Sequence, residues 1–165
     1  MLEPLFEWIS MLPVSRAIGE SLWIYPLVQA IHLVFLAMLA GAVLIVDLRL
    51  LGSGMTRQSV AQVARDARPW LIGGIIGMVV TGVPQLMQNA MREYFAEFFW
   101  WKMYFLAAAL IFTFTVRRRV TTAAVVPGYG KLVGLVSIGL WAGVAISARL
   151  IDAWYNEPGK PARRW

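Results

Sequence analysis

Three ionisable side chains stand inside stretches that are otherwise apolar: His32, Lys102 and Arg149. Such a group at membrane depth is expensive unless it is paired or wet, which makes each a candidate for function. Tyr25, Gln29 and His32 recur at i, i+4 and i+7, on one face of a helix. A neutral imidazole there can ligate a haem iron or a copper ion, or shuttle protons. It can equally serve as a structural hydrogen bond between helices. Lys102 lies one turn inside its apolar stretch. There it either snorkels to the interface or stays buried, where an amine can transfer a proton, ligate a metal or pair with an anionic group. Arg149 and Asp152, at i and i+3, suit a local ion pair. Turned inward, Arg149 would instead hold a carboxylate such as a haem propionate. Gln85, Gln88 and Asn89 add polarity at the same level.

Two methionines, Met87 and Met91, are spaced as soft ligands for Cu(I), with Met38 a further candidate; the same spacing serves ordinary packing. The chain has no cysteine and a single histidine. That excludes disulfides, thiolate metal sites, covalently attached haem and any two-histidine centre within one chain. No phosphate-binding loop, dinucleotide fingerprint, nucleophile elbow or zinc motif is present, and no nucleic-acid partner is expected. The sequence leaves open whether the protein is an enzyme.

The elements that must position these residues are membrane helices. Of 165 residues, 59% are hydrophobic and 15% charged, with mean hydropathy +0.66. A soluble domain is less apolar and more charged than this. At about 20 residues per span the length suits four helices and their loops. The expected fold is all-α: a membrane four-helix bundle preceded by a short interfacial helix. Residues 1–20 carry Leu2, Leu5, Phe6, Ile9 and Leu12 at helical spacing. The bundle occupies 21–154, with spans at about 22–46, 69–87, 98–116 and 132–151, and 155–165 reads as a disordered tail. A short surface helix is expected over 56–68. Pro69 suits the first turn of span two, and Pro84 should kink or end it. Asp47 and Arg49 are expected to pair or to fix the end of span one, and Arg117-Arg118-Arg119 to stop span three and touch anionic lipid.

Charge sets the orientation. The first and third connections hold eight cations against two acids, whereas the rest of the chain is neutral. The positive-inside rule then places those connections in the cytoplasm of a bacterial inner membrane and both termini in the periplasm. Trp23, Trp70, Trp100, Trp101 and Trp154 fall at span ends, as interfacial anchors do. Small-residue rows, Gly73-Gly77-Thr81 and Gly139-Gly143-Ser147, suit close helix packing within the chain or the seam of a homodimer.

Span one reads SLWIYPLVQAIHLVFLAMLAGAVLIVDLRLLG, span three FFWWKMYFLAAALIF, and span four ends ISARLIDAW. This pattern resembles a family of small four-helix bacterial inner-membrane proteins with no assigned function. It covers Ser21 to Trp154, except that Ala148 stands where the family has glycine. More distantly it is similar to the CopD copper-resistance membrane domain and to the HemJ-type protoporphyrinogen oxidase. The second resemblance implies His32 as axial ligand of b-type haem and Lys102 as a second ligand or substrate-side group. Three readings stand. The first is a haem b protein in electron transfer or quinone/porphyrin redox chemistry, with Tyr25, Gln29, His32, Lys102 and Arg149 around the cofactor. The second is a copper-handling protein. The third is a non-catalytic subunit or assembly factor of a membrane complex, with no cofactor.

Overall fold

A computed structural model describes residues 2–123 and 125–155. The tail beyond Tyr155 and the side chains of Asp152 and Trp154 lie outside the described residues. All regular structure among the described residues is helical. Two short helices, α1 (Glu3–Met11) and α2 (Pro13–Glu20), precede α3 (Ile24–Leu51) and α4 (Val60–Gln88). The short α5 (Ala90–Phe95) leads into α6 (Glu97–Phe112), a π-helical turn (Thr113–Arg117) and α7 (Arg118–Thr122). The chain ends in α8 (Gly130–Tyr155). Four stretches are long and apolar enough to cross a bilayer: Ile24–Leu51, Val60–Gln88, Glu97–Thr122 and Gly130–Ile151. The protein is a multi-pass membrane protein built as an all-α four-helix bundle.

Local chemistry explains the ends. Gly52 adopts φ +83 and donates its N–H to the Arg49 carbonyl, closing α3 as only glycine does without strain. Ser59 caps α4 by accepting the Gln62 N–H. The expected surface helix and span two form a single helix, with Pro69 and Pro84 both inside it. Pro69 frees the carbonyl of Arg65, which lies on an exposed turn where water satisfies it. Near Pro84, the Gln85 side chain donates back to the Thr81 carbonyl and helps carry the helix on to Gln88.

Helix α3 packs along α4 and α8, and α6 packs along α8; the α7 turn meets α4. The small residues act inside the chain. A methyl at Gly77 would run into the Phe35 ring, one at Gly74 would lie 2.9 Å from Leu39 Cβ, and one at Gly143 2.6 Å from Phe105. Packing in lipid comes from this close approach rather than from hydrophobic transfer. At the arginine-rich end, Leu39, Ala42, Val43 and Val46 of α3 meet Val63, Ala67 and Leu71 of α4. At the other end, here called the histidine end, Phe6 of α1 enters a cluster with Ala90, Ala96, Phe99 and Ile151. Every buried residue of α3 belongs to its second half, from Leu39 onward.

Candidate functional site

His32 lies eight residues into α3 and Thr81 seven before the end of α4. The helices run antiparallel, so the two residues share a depth of about 12 Å at 1.5 Å per residue. The ring is turned to α4, with Nδ1 2.7 Å from Thr81 Oγ1. That hydroxyl lies 2.6 Å from the Gly77 carbonyl, to which it donates its single proton. It must therefore accept from the ring, which fixes the proton on Nδ1. Among the described residues Nε2 has no hydrogen-bond partner. The histidine is oriented by a hydroxyl–carbonyl relay, with its second nitrogen open. This is how metal-binding and proton-accepting histidines are held.

Lys102, in the first turns of α6, lies within electrostatic reach of the imidazole. Its Nζ is 3.6 Å from Glu93 Oε2 and 4.8 Å from the centre of the Phe99 ring. Both side chains of the pair are three-quarters or more buried, and Glu93 Oε2 has no hydrogen-bond partner. At 3.6 Å the contact is an ion pair, too long to be a hydrogen bond. Tyr25 is half-buried, and its hydroxyl accepts from Asn89 Nδ2 at 3.4 Å. Gln29 departs from the shared face expected for it and is exposed. Arg149 is exposed near the end of α8. Thus the structure brings together His32, Lys102 and, through Asn89, Tyr25. It adds Thr81, Gln85, Asn89 and Glu93, from α4 and α5.

Phe6, Tyr94, Phe99 and Trp100 stack beside this polar group, with ring centres 5.2 to 6.3 Å from Phe6. The Trp100 indole donates to the Tyr94 carbonyl at 3.0 Å. The methionines do not gather around the imidazole. Met91 packs in the aromatic cluster, and Met38 lies against Gly73, deeper along α3. Among the described residues no three histidine, aspartate or glutamate side chains meet as a metal cluster.

A second polar site lies in the arginine-rich half. Asp47 is fully buried, and Arg117 is 5% exposed. Arg117 Nε donates to Asp47 Oδ1 at 2.6 Å, and its Nη2 donates to the Val43 carbonyl at 3.1 Å. The buried Ser137 of α8 approaches the same carboxylate. Trp141 Nε1 reaches Thr113 Oγ1 at 3.3 Å one turn deeper. The pair therefore ties α3 to span three beside α8. The expected Asp47–Arg49 pairing is replaced: Arg49 Nε donates to the Gln58 carbonyl at 2.7 Å and closes the α3–α4 connection. Two residues apart on a helix, Asp47 and Arg49 point to different sides. The first of the three arginines belongs to the interior, and only the next two face outward.

No curated protein and no solved structure matches the chain. A family model, described as a family of unknown function (DUF6644), matches residues 5–153. That span takes in all four membrane helices, the imidazole–threonine relay and the buried ion pair, and the chain belongs to this family.

Proposed function

We propose that the protein is an inner-membrane redox protein that holds b-type haem through His32 and works in electron transfer or quinone/porphyrin chemistry. The observation that carries the reading is the state of the ring: Nδ1 committed to Thr81, Nε2 open. An iron ligand needs that lone pair and a fixed tautomer. The half of α3 that holds His32 has no fully buried residue, which favours room for a planar group beside it. Bound haem would supply a one-electron couple.

The chain's own residues would do the rest. Thr81 orients the imidazole. Lys102 is engaged as a cation by Glu93, so it suits the propionate or substrate side better than a second place on the iron, which would require a neutral amine. Arg149 would add charge for a carboxylate at the same end. The aromatic cluster around Phe6 and Phe99 would limit water. By the charge count this end faces the periplasm, with both termini there. The copper reading has less support, since Met38 and Met91 pack elsewhere.

The test is the absorption spectrum of detergent-purified protein expressed with ample haem. A Soret band is expected in the wild type and is lost in His32→Ala, with the folded fraction unchanged. Colourless wild-type protein overturns the haem reading. Stoichiometric copper by elemental analysis would then favour the copper alternative, and metal-free protein whose His32→Ala and Lys102→Ala variants alter only the assembly of a larger complex would favour the subunit role.

A further inference from the structure

From the placement of the outward-facing part of span three, we infer that Arg118 and Arg119 form a binding site for one anionic phospholipid. The π-helical turn sets up the site. Ala109, Thr113, Arg117 and Thr121 recur every four residues, and all are buried. In a regular α-helix a four-residue row drifts around the axis, whereas the wider π turn brings Thr113 and Arg117 back to the same side. Arg117 is thereby committed to Asp47, and the opposite face of the same segment turns outward. Ile111, Phe114, Thr115, Arg118, Arg119 and Thr122 are all exposed there.

Phe114, Thr115, Arg118, Arg119 and Thr122 line a concavity of about 280 Å³. Its donors can be counted. The Thr115 hydroxyl donates to the Ile111 carbonyl, and that of Thr122 donates to the Arg118 carbonyl at 2.8 Å. Each has one proton, already used, so only the two guanidinium groups are left to bind an anion. A phosphodiester matches them, because guanidinium and phosphate oxygens pair through two parallel charge-assisted hydrogen bonds. The apolar half of the stripe identifies the source. Phe114 lies one helical turn, about 5.4 Å, before Arg118, on the side of the bilayer centre, and Ile111 lies a further turn in. An acyl chain along Ile111 and Phe114 would carry its phosphate to Arg118 and Arg119. A free phosphate would have no use for those two side chains. The inference is independent of what His32 binds.

The full chain is reconstituted in nanodiscs of equimolar phosphatidylglycerol and phosphatidylcholine, and retained lipid is read by native mass spectrometry. Phosphatidylglycerol is expected to be retained selectively. Removing two contacts, Arg118→Gln with Arg119→Gln, should weaken retention about 30-fold, at about tenfold per 1.4 kcal/mol and about 1 kcal/mol per cation. Each single variant should lose about fivefold, and these serve if the double variant does not fold. The comparison Arg57→Gln with Arg68→Gln removes equal charge from the same end and should leave retention within about twofold. Equal loss in that comparison would mean diffuse surface attraction and overturn the site. Displacement of the lipid by inorganic phosphate at matched ionic strength would mark a free-anion site and overturn the lipid assignment.

Discussion

Removing one partner of the buried Asp47–Arg117 pair should destabilise the bundle far more than removing either outward arginine. Asp47 is fully buried and Arg117 nearly so, and their contact is 2.6 Å. Asp47→Asn leaves the guanidinium without its counter-charge among Val43, Ser137 and the helix backbone. Breaking such a pair from one side typically costs about 3–5 kcal/mol, roughly two to four powers of ten in the unfolding constant. Arg117→Met should cost as much from the other side, because the carboxylate then has only Ser137 near it. Replacing both, Asp47→Leu with Arg117→Met, removes the two charges together and should recover most of the loss. Apolar replacements of buried pairs are often neutral or stabilising by about 1–4 kcal/mol. Arg118→Gln, at an exposed position, should stay within about 0.5 kcal/mol. The assay is unfolding by dodecyl sulfate in mixed micelles, followed by the fluorescence of the chain's eight tryptophans. If Asp47→Asn and Arg117→Met are no worse than Arg118→Gln, the pair does not hold the bundle. If the double variant loses the sum of the single losses, the two residues are not coupled.

Thr81→Val keeps the shape of the side chain but removes the acceptor of the His32 proton. Affinity for whatever binds Nε2 should fall about 10–100-fold, as for other residues that orient a ligating histidine, and titration of the purified protein with haem reads it. Gly77→Ala places a methyl on the Phe35 ring and should destabilise by about 1–3 kcal/mol in the same unfolding assay. Gly139→Ala, where nothing lies within 4 Å, should be close to neutral.

The two polar sites differ in how far they could be read from the sequence. Four spans follow from composition and hydropathy, and the structure carries four apolar helices of sufficient length. The depth of His32 was also legible: its place in α3 matches that of Thr81 in α4 once the helices are antiparallel. Rotation was not. Gln29 and His32 are three residues apart, and only one of them turns to α4, because the contact face is fixed by Gly77 and Phe35 across the interface. The proline signals misled for a physical reason. Pro69 lies where its freed carbonyl reaches water, so the helix continues instead of starting there. For the buried ion pair, half the signal was present. An aspartate inside LIVDL needs a cation, and the i, i+2 spacing already disfavoured Arg49. The identity of Arg117 depends on a π-helical turn, and nothing in TFTVRRR reveals one. Glu93 was hidden in a connecting segment that forms α5, which brings its carboxylate to Lys102.

Because His32 is the only histidine, nitrogen NMR of protein labelled with nitrogen-15 histidine reports on that ring alone, in detergent and without added cofactor. A proton on Nδ1 and a bare Nε2, reversed or averaged in Thr81→Val, is the outcome that follows from the relay to Gly77. A wild-type ring that carries its proton on Nε2 would contradict it, and with it the open nitrogen on which the functional reading stands.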